Sequence, residues 1–147
     1  MAILFYKIKD LGGFMSNFYP SKMFIYGRWW KWVEAPYQSA KTVNLEEKEL
    51  IWNAETARIA RDLGQKVSMV HDWDKIKREI MKECCMAKFL QNSDLRQQLI
   101  QTGKEELIED TPHDSFWGNG ADGTGQNVLG KVLMEVRDEF SFANFFD

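Results

Sequence analysis

A chain of 147 residues fits one domain with a substantial core and is short for two. Its 19 basic and 22 acidic residues are mixed along the sequence and sum to −3, which is not the footprint of an obligate nucleic-acid binder, although a nucleic-acid substrate stays open. Apolar runs are short and no charged segment leads into one, so neither a membrane span nor a signal peptide is read; the only cysteines, Cys84 and Cys85, are adjacent, suggest neither a disulfide nor a metal site, and fit a reducing cytoplasm.

The first 33 residues hold "ILFYKI", "DLGGFMSNFYPS" and "MFIYGRWWKWV", and the alternation and Tyr-Gly turn signal in the last predict a small β element with a loop between strands. From Glu34 the pattern turns helical as far as about Val43, with Pro36 tolerated in the first turn, where its missing N–H costs nothing. Asn44 is placed to cap "LEEKELIWN" and Asn53 to cap "AETARIARDL", in which Ile59 and Leu63 share a face and Gly64 supplies the stop. Asp72 precedes the strongest helix, "WDKIKREIMKECCMAKFL", whose Trp73, Ile76, Ile80, Cys84 and Ala87 form an apolar stripe. Asn92 or Ser93 caps "DLRQQLIQT", closed by Gly103; "EELIEDT" reads as a strand or a short helix. "NVLGKVLMEVRDEF" is a final amphipathic helix with Leu129, Val132, Leu133 and Val136 inward. The sum is a mainly α fold with a small N-terminal β element, expected as a single domain over residues 1–147.

Three places carry possible chemistry. Glu34, Gln38 and Lys41 stand at i, i+4 and i+7 and share a helix face, with the lysine chain leaning back toward the glutamate. From the pattern alone a solvated polar stripe is the favoured explanation, but Trp29, Trp30, Trp32 and Tyr37 supply more aromatic surface than such a stripe needs. In "TPHDSFWGNGADGTGQNVLG", residues 111–130, five of the ten glycines lead into the last helix. Glycine backbone and a helix N-terminus near Asn127 suit a phosphate, yet the spacing is neither a P-loop nor a dinucleotide fingerprint, and a plain turn is the competing reading. Asp114 sits just before Phe116 and Trp117, where flanking rings can desolvate a carboxylate, or it is an ordinary turn acid.

The loop "GGFMSNF" offers Ser16 and Asn17 between Phe14 and Phe18, as ligand contacts or as turn formers. His71 and His113 have no partners at metal-ligand spacing, so no metal is expected, and no nucleophile elbow is present.

Taken together, "GGFMSNFYP", "VEAPYQSAK", the Trp73 helix with its "AKF", "TPHDSFWGNG" and "GQNVLGKVLMEVR" resemble the NADAR, or YbiA-like, family over nearly the whole chain. The resemblance implies a mainly helical N-glycosidase without a cofactor, acting either on riboflavin-pathway ribosylamine phosphates or on guanine carrying ADP-ribose. It matches Glu34, Trp73 and Asp114 to functional positions and Lys41 to the lysine held to attack the ribose, and it places Ser16, Asn17, Gly118 and Asn127 near the ligand; Trp73 and Trp117 are rings able to stack on a base or cover the ribose. The family commonly has Glu-His at the start of the first helix, whereas Glu34 is followed here by Ala35.

Such substrates join an exocyclic amine to ribose C1, and a neutral lysine can displace the amine through a Schiff base; alternatively a carboxylate activates water directly. An unperturbed lysine has a pKa of about 10.4, so burial must lower it while Glu34 opposes that fall. Removal of ADP-ribose from guanine in nucleic acid or a nucleotide is the leading expectation, since a domain of this size needs no fused biosynthetic partner. Hydrolysis of the smaller ribosylamine phosphates comes second, and a non-catalytic ADP-ribose or NAD reader third. No membrane association is expected.

Overall fold

A computed structural model describes the backbone of residues 1–146 and the side chains of residues 1–142. In chain order the elements are β1 (Ala2–Phe5), a 3-10 turn (Gly13–Met15), β2 (Met23–Ile25), β3 (Arg28–Trp30), α1 (Glu34–Ser39), α2 (Leu45–Trp52), α3 (Ala57–Gly64), α4 (Trp73–Gln91), α5 (Ser93–Gln101), β4 (Glu106–Glu109) and α6 (Val128–Phe146). The fold is mainly α. Among the described residues no helix is long and apolar enough to cross a membrane.

The chain forms two compact units. One is the continuous run Pro20–Asn92; the other joins Met1–Tyr19 to the chain from Ser93 onward.

In the continuous unit, β2 and β3 make an antiparallel hairpin in which Met23 faces Trp30 and Phe24 faces Trp29. Its turn residues Tyr26 and Gly27 have φ of 53° and 80°, the both-positive pattern that matches strand twist in a two-residue hairpin. Alternation then sorts the faces: Met23 and Trp30 are buried, Phe24 and Trp29 exposed.

The helix beginning at Glu34 is shorter than its sequence suggests. It ends at Ser39, whose carbonyl accepts from Lys48 Nζ at 2.9 Å. Lys41 lies in the following turn, with its N–H on the Gln38 carbonyl and its own carbonyl taken by the Val70 N–H at 2.8 Å, so neither group is available to extend the helix.

Asn44 caps α2 as expected, accepting from Glu47 N at 2.9 Å. Asn53 closes α2 instead of opening α3, donating to the Glu49 carbonyl, and Thr56 caps α3 by accepting from Ile59 N. Asp72 makes no side-chain cap; its carbonyl takes the Lys75 N–H. In α3 the inward face is Ala57, Ala60 and Gly64, while Ile59 points to solvent. Small residues let α3 lie close against α1, which a larger Ile would prevent.

α4 buries Trp73, Met81, Cys84, Cys85, Ala87, Lys88 and Phe89; of the expected stripe Trp73, Cys84 and Ala87 are buried, while Ile76 and Ile80 are half-buried. Both cysteines are buried and neither is in a disulfide. Lys88 is 1% exposed, and burial lowers its pKa to about 8, with Cys85 opposing.

In the other unit β1 runs parallel to β4, Ile3 opposite Leu107, so the N-terminal strand pairs with a late strand and not with the hairpin. Asp110 N donates to the Phe5 carbonyl and extends that ladder by a residue. α6 covers β4 with Leu129, Val132, Leu133 and Val136, all fully buried as their spacing predicts. Buried Arg137 of α6 donates to Thr102 Oγ1 at 2.9 Å and the Glu105 carbonyl at 2.8 Å, tying the helix to the α5–β4 connection.

Lys88 gives a pH signature. The folded chain releases its proton near pH 8 and the unfolded chain near 10.5, so between those values the unfolded state binds more protons and stability rises with pH. Denaturant unfolding of wild type and Lys88→Met at pH 7, 8, 9 and 10 should show the stability difference constant below about 8 and moving in favour of wild type above it.

Candidate active site

The continuous unit brings Glu34, Lys41 and Trp73 into one neighbourhood. Glu34 is 7% exposed at the start of α1, and Gln38, one turn on, donates its amide to Glu34 Oε1 at 2.7 Å. The bond satisfies part of a buried carboxylate, which is costly to leave without donors. Gln38 can sit there because Gly64 of α3 has no side chain; a Cβ would land on the Gln38 amide.

Lys41 is half-buried with its ammonium 5.9 Å from the centre of the Tyr37 ring. Trp73 packs on Tyr37 with ring centres 5.3 Å apart. At 3% exposure Trp73 is packed into the core beside the tyrosine that Lys41 approaches, with almost none of its own surface open to a ligand.

Burial is the main influence on Lys41 and lowers its pKa; Glu34 raises it, and Lys77 and Arg61 lower it further. The ammonium form is therefore disfavoured relative to an ordinary lysine, while the Glu34 carboxylate acts on it in the opposite sense.

The remaining expected residues belong to the other unit. Ser16 follows the 3-10 turn and accepts from Phe18 N at 3.1 Å; it and Asn17 are buried. Asp114 Oδ1 accepts from Phe116 N at 2.9 Å and Trp117 N at 2.8 Å. That is the turn geometry of an Asx motif, and Oδ2 takes no part in it. Phe116 and Trp117 pack edge to face, centres 4.8 Å apart, both half-buried.

The glycine-rich loop is folded onto itself. Asn127 N donates to the Gly118 carbonyl, Val128 N to Phe116 and Leu129 N to Trp117, all at 2.9–3.0 Å. The amides opening α6 are thus committed to loop carbonyls, and an incoming phosphate would have to compete for them, contrary to the cradle read from sequence. Gly118 is required by packing, because a Cβ would strike Thr111, and Gly125 because one would lie 2.6 Å from the Gly118 carbonyl. Asn127, at φ 52°, donates to the Leu107 carbonyl at 2.8 Å and accepts from Glu109 N at 2.9 Å. Both polar atoms of its amide serve β4.

The sequence puts Gln38 on the Glu34 face and Tyr37 among the rings flanking it without giving either a site role, and it carries no sign of Gly64, Arg61 or Lys77. Spacing within α1 is the available signal for Gln38 and Tyr37; the other three depend on α3 and α4 returning to α1. Among the described residues no group of three or more His, Cys, Asp or Glu is placed to hold a metal ion.

Residues 4–141 match the family described as the NADAR domain. The chain is 42% identical over 144 residues to the N-glycosidase Npun_R5314 of Nostoc punctiforme, covering 95% of this chain and 92% of that protein. It is 40% identical over 139 residues to the riboflavin biosynthesis protein VVA0006 of Vibrio vulnificus, covering 93% of this chain but 38% of that longer protein. Its fold is similar to the NMR structure of the Escherichia coli protein YbiA, with a TM-score of 0.90 at 31% identity over 98% of this chain and 87% of that one.

Close contact between Gln38 and Gly64 should appear as coupling. In urea unfolding, Gly64→Ala is expected to cost roughly 1–3 kcal/mol by overpacking, and distinctly less in a Gln38→Ala background, where the clashing amide is gone.

Proposed function

Because this chain belongs to the NADAR domain family and is an N-glycosidase by kinship with relatives that it matches over nearly their full length, we propose that it acts as one domain over residues 1–147 and hydrolyses the bond between ribose C1 and an exocyclic amine, chiefly the one joining ADP-ribose to guanine. The observation that carries this reading is Lys41: a half-buried lysine held over Tyr37, with its charged form disfavoured by burial and Glu34 close enough to act on it.

In the proposed reaction the glycosylamine ring opens to an imine at C1. The neutral Lys41 Nζ adds to C1, Glu34 passes a proton to the departing guanine amine, and that amine leaves as a Schiff base forms between Nζ and C1. Water then adds to the Schiff base, the lysine nitrogen leaves, and ribose C1 closes to its hemiacetal. Arg61 and Lys77, whose charges act on Lys41, suit a diphosphate better than one cation would.

Gln38 positions Glu34, and Trp73 positions Tyr37. In the other unit we assign Asp114, through Oδ2, to the ribose hydroxyls, Trp117 to packing on the substrate, and Ser16, Asn17 and Gly118 to substrate contacts. Asn127 acts through the loop, since its amide is spent on β4. Two buried cysteines outside any disulfide suit a reducing cytoplasm.

The Vibrio relative's name favours a second reading with the same residues, ribosylamine phosphates of riboflavin biosynthesis. Assaying both substrate classes with one preparation ranks them by kcat/KM; turnover of only the ribosylamine phosphate would reverse the order, and turnover of neither would leave a binding module.

Borohydride added during turnover should reduce the Schiff base and leave a ribose adduct on Lys41, detected by mass spectrometry and absent from Lys41→Arg. No adduct in wild type that is turning over would establish direct attack by water instead.

The pH profile tests the Glu34 contact. Rate should climb with pH as Lys41 loses its proton, at a pH below that of an ordinary lysine. A carboxylate stabilises the ammonium, so Glu34→Gln should move this limb to lower pH while cutting kcat by about 10²–10⁴-fold.

A further inference from the structure

We propose that the solvent face of the β2–β3 hairpin, with Trp52 beside it, is a stacking platform for the unpaired bases of a single-stranded nucleic acid. This deepens the reading above, on which it rests in one respect: it makes the physiological substrate a modified base within a strand rather than a free nucleotide.

Three large rings lie together in the open. Trp29 is 54% exposed, Phe24 47% and Trp52 41%. Phe24 and Trp29 are cross-strand partners whose rings meet edge to face, centres 5.5 Å apart, and Trp52 Nε1 donates to the Trp29 carbonyl at 2.9 Å. A single exposed ring is ordinary, but a contiguous exposed cluster on a rigid hairpin marks an interaction surface.

Cations are interleaved with those rings. Lys22 Nζ is 5.3 Å from the centre of the Trp29 ring, and Arg28 stacks over Trp52 at 4.2 Å. Arg28 also pairs with Glu49 at 2.8 Å across an exposed surface, where such pairs hold weakly. In a chain of net charge −3, the stretch from Leu11 to Val33 holds Lys22, Arg28 and Lys31 and no acidic residue.

Aromatic faces that accept any base, next to cations that take the phosphates, are what single-strand binding requires. A base arriving on Trp29 displaces the exposed Lys22 ammonium toward its own phosphate. Duplex DNA hides its base faces, so the surface should discriminate against it. The indole of Trp29 is free to stack because alternation along β3 sends Trp30, not Trp29, into the core.

The test uses wild type, Trp29→Ala, Phe24→Ala and Trp29→Phe with a fluorescently labelled, unmodified oligonucleotide, single-stranded or as duplex, followed by anisotropy at two salt concentrations. Wild type should bind the single strand, more weakly as salt rises; either alanine variant should lose about tenfold, Trp29→Phe should keep most of the affinity, and duplex should bind less. In turnover, the alanine variants should raise KM for modified guanine within an oligonucleotide and leave a modified mononucleotide unaffected.

Absence of single-strand binding, equal affinity in all variants, or a platform needed only for self-association by sedimentation would overturn the inference while N-glycosidase turnover of the mononucleotide survives. Trp29-dependent binding of the strand without turnover of modified guanine would retain the platform and remove the proposed substrate.

Discussion

The carboxylate of Glu34, buried within a six-residue helix whose every residue is buried, sets the terms for the unit that contains it. A carboxylate in that position needs donors, and Gln38 supplies one from the next turn. For Gln38 to lie there α3 must come close, and it can because its inward face is Ala57, Ala60 and Gly64. Larger residues on that face would lift α3 away and expose the carboxylate. The chain then leaves α1 in a turn fixed by Lys48 and Val70, and this turn holds Lys41 near the Tyr37 ring, where the charge of Glu34 acts on it.

Lys41 is placed between opposing influences. Burial and the charges of Lys77 and Arg61 favour the free amine, and Glu34 favours the ammonium. A fully buried amine without the carboxylate would be neutral but without a proton donor beside it. Lys88, in the same unit, is enclosed in α4 next to Cys85, and burial dominates its pKa.

The second unit solves a different problem. Its glycine-rich loop turns sharply back onto β4 and then starts α6, so loop carbonyls take up the amides at the helix start. Glycine is used at Gly118 and Gly125 because backbone passes backbone there, and Asn127 staples the loop to β4 through both ends of its amide. Asp114 Oδ1 closes its own turn in the same manner. Rigidity, rather than an open set of amides, is what this loop contributes.

What the sequence determined by itself is local: the α6 stripe, the Tyr-Gly hairpin turn, the Asn44 cap and the Glu34–Gln38 spacing all follow from period and short-range sterics, and the family motifs identified the N-glycosidase kinship. The tertiary structure decided matters that depend on residues far apart in the chain. It shortened α1 because Val70 captures the Lys41 carbonyl, paired β1 with β4, packed Trp73 against Tyr37, and made Gly64, where α3 ends, a space for Gln38 as well. Hydrogen-bond competition and close packing act between elements, and periodicity within one element carries no record of which neighbour will arrive.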